Sequence, residues 1–379
     1  MKITHLTQRA LLFTVILLNF LFIPVIGFKL NSELTYTSPN SSVHFPIEFN
    51  KTQAYEDIRT QLDFGYRVPG TVEHNACADW ICSELQPVTD EVVTHNFSLP
   101  VPEDDPIHCQ NILGKLNTNE SNIIIISAHW DSRAIAEKDT ISQDQPIPGA
   151  NDGGSGVAVA LELARVFHKN KAQFNSQIWF LFFDAEDQGS GGIEGWGWAE
   201  GAAAFRADIN SFYNTTSEEF SFLILLDMVG GHGLKFIDER NSNNELQETV
   251  FQEGRDLGFL SAFPKYPEAN WITDDHVPFR TLMPTLDLII NFYNPSNGWD
   301  YHHTHQDNLD NIDEDSLRIT GSTIESFLYS YHGKTTWNQN NTKWIIIGSV
   351  GGVALIGAAV GIVFLKRKRK SNISDSNLL

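Results

Sequence analysis

"NIIIISAHWDS", residues 122–132, opens on four consecutive isoleucines and closes on His129 and Asp131. A run this short, β-branched and apolar at every position, reads as a strand buried on both faces, not as one face of a helix. The same event recurs along the chain. "QIWFLFFD" (177–184) is followed by Glu186 and Asp187, and "FLILLDMVG" (222–230) carries Asp227. "TLDLII" (285–290) precedes "YHHTHQD" (301–307), with His302, His303, His305 and Asp307. Helical patterns lie between and around these strands, at 155–169, 200–209, 244–258 and 313–331. Another spans 54–85 and breaks at "YRVPGT", where Pro69 and Gly70 force a turn. Buried strands alternating with helices predict an α/β fold around a mostly parallel sheet flanked by helices.

The chain has 379 residues, ample for a large core. It carries 26 basic and 47 acidic residues, a net charge of -21, which disfavours nucleic acid as a partner. Three cysteines, Cys77, Cys82 and Cys109, are too few for a disulfide framework, and spacing alone does not pair them. Ala10 to Phe28 is uncharged and follows Lys2 and Arg9, so 1–28 reads as a signal peptide or N-terminal anchor. Residues 29–53 read as a polar linker, 54–332 as the folded domain and 333–343 as a stalk. Trp344 to Leu365 is uncharged over 22 residues, and a helix of that length, about 33 Å, spans a bilayer core. The basic tail, 366–379, begins "KRKRK" and marks the cytoplasmic side. These segments predict a single-pass cell-membrane protein with its domain outside. Six Asn-x-Ser/Thr triplets, at Asn40, Asn50, Asn96, Asn119, Asn214 and Asn340, lie in the expected outer part.

The polar residues gather at the carboxyl ends of the strands, where open α/β sheets bind ligands. His129, Asp131, Asp152, Glu186, Asp187, Asp227 and His303 are therefore expected in one crevice. Taken singly, each has a duller reading: Asp152 as a helix cap, Glu186 and Asp187 as a solvated strand end, Asp227 as a turn residue. Together, carboxylates with so few basic partners would repel one another. A divalent cation relieves that, and imidazoles with carboxylates suit zinc. Asp131 fits as the carboxylate orienting the His129 ring. Glycines 149, 153, 154 and 156 admit close backbone approach around Asp152.

"AHWDS", "PGANDGGSGVAVALELAR", "FFDAEDQG", "LLDMVG" and "HHTHQDNLDNID" together resemble the zinc aminopeptidase and glutaminyl cyclase superfamily, over about residues 54–332. The resemblance implies a twisted mixed sheet flanked by helices, acting on peptides or proteins with a free N-terminus. It implies metal ligands at His129, Asp152, Asp187, Asp227 and His303, with Asp152 bridging and Glu186 as general acid/base. An aminopeptidase would hold two zinc ions; a cyclase would hold one, on Asp152, Asp187 and His303. In a cyclase Asp227 would join a proton network instead.

"WITDDHVPF" (271–279) bears on the branch. Cyclases resemble it in Asp-Asp-His, where peptidases typically have Ser-Asp-His, so the resemblance makes Asp274 a catalytic residue hydrogen-bonded to Asp227 and Glu186. Trp196, Trp198 and Trp299 are candidates for the walls of a small apolar pocket, against ordinary core or surface placement. Two departures stand out: His302 where animal cyclases have Trp, and Asp187 in place of the commoner Glu. The expected function is a membrane-anchored zinc glutaminyl cyclase. A zinc aminopeptidase is the alternative, and a non-catalytic binding ectodomain a third.

Overall fold

The isoleucine run forms β3 (Asn122–His129), near the middle of a six-stranded sheet. The computed structural model describes residues 46–293 and 299–332. The other strands of that sheet are β1 (Glu91–Val101), β2 (Asp104–Leu116), β4 (Gln177–Phe183), β5 (Glu219–Asp227) and β8 (Thr285–Ile289). Two-residue strands β6 (Asp238–Glu239) and β7 (Ala269–Asn270) pair separately. The sheet order is β1-β2-β4-β3-β5-β8. Strands β4, β3, β5 and β8 run parallel, and an antiparallel hairpin of β1 and β2 extends the sheet beyond β4. The mixed, mostly parallel sheet matches expectation. The hairpin is an addition: β1 buries only His95 and carries Pro100 near its end, so it lacks a clean strand signal.

Six helices accompany the strands: α1 (Lys51–Phe64), α2 (Val72–Leu85), α3 (Gly154–Lys169), α4 (Glu200–Asp208), α5 (Asn244–Asp256) and α6 (Glu314–His332). Ile124 and Ile126 join the core that also takes side chains from α1, α2, α3, α5 and α6. Ile123 and Ile125 join the opposite core with Phe205 of α4 and Phe279. Burying each isoleucine stabilises the fold by about 1.5–3 kcal/mol. The α1–α2 break falls where Pro69 and Gly70 put it, and the Thr71 hydroxyl caps α2 by accepting from His74 N. The packed region also takes in residues before 54. Asn50 caps α1, and the Glu325 carboxylate accepts from the backbone N–H of Glu48 (2.9 Å) and Phe49 (3.0 Å).

Helix α3 lies so close to β5 that a Cβ on Gly156 would stand 2.0 Å from the Leu226 carbonyl oxygen. Gly156→Ala is expected to destabilise the domain by about 2–3 kcal/mol, because neither backbone can retreat without opening the core. A urea titration measures this, and an unchanged midpoint would overturn it.

The membrane expectation is corrected here. Among the described residues no helix is long and apolar enough to cross a membrane. The longest, α6, has 19 residues but carries Glu314, Asp315, Arg318 and Glu325. The segments expected at 1–28, 333–343, 344–365 and 366–379 lie outside the described residues. Among the described residues the fold is therefore an α/β domain without a spanning helix, and the single-pass cell-membrane location is withdrawn with it. All three cysteines are free thiols.

Candidate metal centre and crevice

Strand ends deliver the site. His129 closes β3, Glu186 and Asp187 follow β4, and Asp227 closes β5. Asp152 comes from the turn that starts α3, and His303 from the loop after β8. All six are buried. Gly153 lets the α3 turn settle on His129, since a Cβ there would lie 2.3 Å from its carbonyl oxygen and 2.7 Å from its ring.

The donors form two half-sites that share one carboxylate. His129 Nε2 lies 3.1 Å from Asp152 Oδ1 and 3.2 Å from Asp227 Oδ1. On the other side, His303 Nε2 lies 3.1 Å from Asp187 Oδ1 and 3.9 Å from Asp152 Oδ2. Asp152 thus turns one oxygen to each half-site. Ala185, Met228 and His303, each a site residue or next to one, have left-handed backbones, with φ of 57°, 48° and 60°. Such strain in non-glycine residues tends to gather where function demands a fixed geometry.

Buried charges around the ligands fix them. Asp131 Oδ1 is 3.5 Å from His129 Nδ1, and the same carboxylate accepts from the backbone N–H of Glu186 (3.0 Å) and Asp187 (3.2 Å). It therefore orients one histidine and shapes the Glu186 loop. Asp307 accepts from Asn151 N (2.7 Å) and Asp152 N (3.1 Å), pinning the bridging residue. His303 Nδ1 bonds Glu137, which receives Arg133 Nε at 2.7 Å. Arg133 Nη1 also donates to the Asp187 carbonyl at 2.8 Å, and its guanidinium lies 4.9 Å from the Trp198 ring. Arg133 and Glu137 thereby hold both Asp187 and His303. Sequence reading passed over this pair because a loop Arg and Glu four apart look like a solvated ion pair.

The stretch "TDDH" is held from beneath by Glu239, which accepts from Ile272 N at 2.9 Å and lies 3.1 Å from His276 Nε2. Asp274 is buried and lines the same cavity as Glu186, Asp227 and Asp187. The hydrogen bonds expected from Asp274 to Asp227 and Glu186 are not made. Its Oδ1 accepts from Asp275 N at 2.6 Å, its Oδ2 meets no N–H or hydroxyl donor, and its side chain lies within hydrogen-bond reach of the buried Asp287 carboxyl.

Burial and neighbouring charges raise Glu186, Asp187, Asp227 and Asp274, whereas histidine partners outweigh burial and lower Asp152 and Glu137. Burial and the Asp227 charge push Asp274 up to about 7. Burial and Asp152 push Asp187 up to about 6. Burial, then the Asp274 charge, holds Glu186 well above the usual carboxylate range. For the histidines burial opposes protonation, yet the carboxylates around His303 outweigh it and raise it to about 9. Groups raised on folding contribute stability at low pH and lose it as pH rises through the folded value. His302, which burial holds well below its usual value, acts in the opposite sense; Asp152, Asp131 and Glu137, lowered by their histidine partners, do so too, but only at pH below the usual carboxylate range. Metal-stripped protein should therefore melt at a lower temperature at pH 8 than at pH 5.5. A higher melting temperature at pH 8 would contradict this reading.

These residues fit zinc. Their donors are imidazole nitrogens and carboxylate oxygens, the set zinc takes. Asp187 Oδ2 is buried with no partner, and one carboxylate faces two imidazoles from opposite oxygens. His129, Asp152 and Asp227 form one compact donor group; Asp152, His302 and His303 form another.

The crevice above is a cavity of about 430 Å³ lined by Glu186, Asp274 and Trp198 among others. Of the three candidate tryptophans, only Trp198 lines it. Trp196 spends its indole N–H on the Pro100 carbonyl (2.9 Å) and packs with Cys109 and Ala185. Trp299 is buried against Gly231 and Tyr301. Trp271, an exposed residue absent from the expected walls, does line the cavity.

A family model described as Peptidase family M28 matches residues 111–328. The chain is 24% identical to a glutaminyl-peptide cyclotransferase of Drosophila melanogaster, over 70% of this chain and 77% of that one. It superimposes on the crystal structure of Bacteroides thetaiotaomicron glutaminyl cyclase with a TM-score of 0.66 and 31% identity, covering 74% of this chain and 98% of that one. A Zn-dependent exopeptidase from Parabacteroides distasonis matches with the same TM-score, identity and coverage. Overall likeness therefore does not separate the two reactions, whereas both sides of it are zinc or cyclase enzymes.

Proposed function

We propose that this chain, which belongs to Peptidase family M28, converts the N-terminal glutamine of peptides or proteins to pyroglutamate with release of ammonia. The observation that carries this reading is Asp274, a buried carboxylate among the residues that line the crevice with Glu186 and Asp227. After burial, its charge helps hold Glu186 well above the usual carboxylate range, which favours a group that must take and return one proton.

Zinc held by Asp152, Asp187 and His303 would polarise the glutamine side-chain carbonyl. Glu186 accepts a proton from the α-amine as that nitrogen bonds the side-chain carbonyl carbon. It returns the proton to the amide nitrogen, whose bond to the same carbon breaks, and ammonia leaves. No water is consumed. Asp274 and Asp227 keep negative charge beside Glu186, and Arg133 with Glu137 keeps Asp187 and His303 in register.

One observation favours the second reading, a two-zinc aminopeptidase. The half-site of His129, Asp152 and Asp227 is as compact as the other, with contacts of 3.1 and 3.2 Å. The two readings separate in a paired assay of zinc-loaded protein. Ammonia from a glutamine-leading peptide with one zinc per chain supports the cyclase. Free leucine from a leucine-leading peptide with two zincs overturns it in favour of the peptidase. Inactivity on both, with no zinc retained, would leave a non-catalytic binding domain.

A further inference from the structure

Six acidic residues line the crevice, and Lys138 is the one lysine or arginine among the described residues that joins them. Its side chain is exposed, but its backbone is anchored. Its backbone N–H donates to the His303 carbonyl at 3.3 Å. On one side Glu137 bonds His303; on the other Asp139 accepts from His305 N at 2.9 Å. The segment 137–139 is thus stitched to 303–305, which fixes Lys138 at the rim beside the metal-ligand loop.

The ammonium bonds a ring, not a carboxylate. Lys138 Nζ donates to His302 Nδ1 and stands 5.8 Å from the centre of the Phe292 ring. An ammonium can only donate, so His302 Nδ1 accepts and a neutral ring carries its proton on Nε2. That N–H points to the side of Asp152, with Nε2 3.8 Å from Asp152 Oδ2. His302 is therefore a spacer and donor in this state. It separates Lys138 from the bridging carboxylate by one imidazole width. An ammonium has three N–H bonds, and this arrangement spends one of them.

We infer that Lys138 is a subsite for a carboxylate of the peptide substrate. The inference rests on reading the crevice as the place where a peptide's first residue reacts. The acid-rich interior suits the substrate's amine. Consecutive Cα atoms lie about 3.8 Å apart, so the second residue emerges at the rim, where Lys138 waits. The carboxylate could come from an acidic second side chain or from the C-terminus of a dipeptide. Phe292 and the His302 ring wall the ammonium on its inner side, which lessens its screening by water.

The test compares peptides that share a first residue and carry Asp, Ala or Lys second, each with a free or amidated C-terminus. Turnover is read as ammonia from glutamine-leading peptides and as free amino acid from leucine-leading ones. The preference is a ratio within one series, so it survives whichever reaction is correct. Calorimetric binding of the same peptides supplies the ratio if neither series turns over. We expect kcat/KM or affinity for Asp over Ala to be about three- to tenfold higher, shrinking in high salt. Lys138→Met should bring the ratio near one, and Lys138→Glu should turn it toward Lys. A benefit from the free C-terminus of dipeptides alone assigns the subsite to that carboxylate. Equal ratios in the unmodified protein, or ratios untouched by both variants, overturn the subsite.

Discussion

Glu186→Gln should lower kcat by about 10²–10⁴-fold while zinc stays bound. The carboxylate is buried on the crevice wall, and burial with the Asp274 charge holds it well above the usual carboxylate range. Glutamine keeps the shape and the backbone N–H that donates to Asp131, so the loop carrying Asp187 should hold its place. What it loses is the capacity to take a proton. In the unmodified protein Glu186 must be ionised to accept one, so kcat/KM should fall as pH drops through its raised value. The variant should lose that acid limb. Metal analysis with stopped-time assays across pH measures both effects. Loss of zinc together with activity would instead make Glu186 part of the metal scaffold, and undiminished kcat would remove it from the chemistry.

The core and the ligand set were readable in the sequence for one physical reason. A strand buried on both faces leaves an unbroken apolar run, and Ile123–Ile126 is one; the polar residues that follow it come at the strand's carboxyl end. That logic brings His129, Asp187 and Asp227 together, but it equally offers Asp184, which turns away to His74. It does not reach contacts set by loop geometry. Arg133 and Glu137 look like a surface pair until the Asp187 carbonyl and His303 Nδ1 close around them. Glu239 belongs to a two-residue strand with no pattern to announce it, yet it anchors the Asp-Asp-His segment. The tryptophans mark the same limit. An aromatic near a motif is apolar bulk, and only the backbone path decides that Trp198 meets the cavity while Trp196 turns toward Pro100. Hydropathy also led outward, to a spanning helix that no described helix supplies.

Asp274→Ser is the change that asks which reaction the crevice serves. Asp274 touches none of the five candidate ligands through a hydrogen bond; its Oδ1 accepts from Asp275 N and its side chain meets the Asp287 carboxyl. Removing the carboxylate should therefore leave zinc content intact. Its effect should fall on the proton. Without the Asp274 charge, the electrostatic push on Glu186 weakens and its ionisation moves to lower pH, so the acid limb of kcat/KM shifts downward. A proton relay that must both accept and return would then give its proton back less readily, and ammonia release should drop by about 10²-fold or more. Asp274→Asn, equal in size but uncharged, separates charge from shape: a similar loss assigns the effect to charge. Peptide hydrolysis depends instead on a water between two metals, so leucine release, if present, should change far less. Ammonia release that survives Asp274→Ser, with the acid limb unmoved, would reduce Asp274 to a wall of the cavity and withdraw the main support for the cyclase reading.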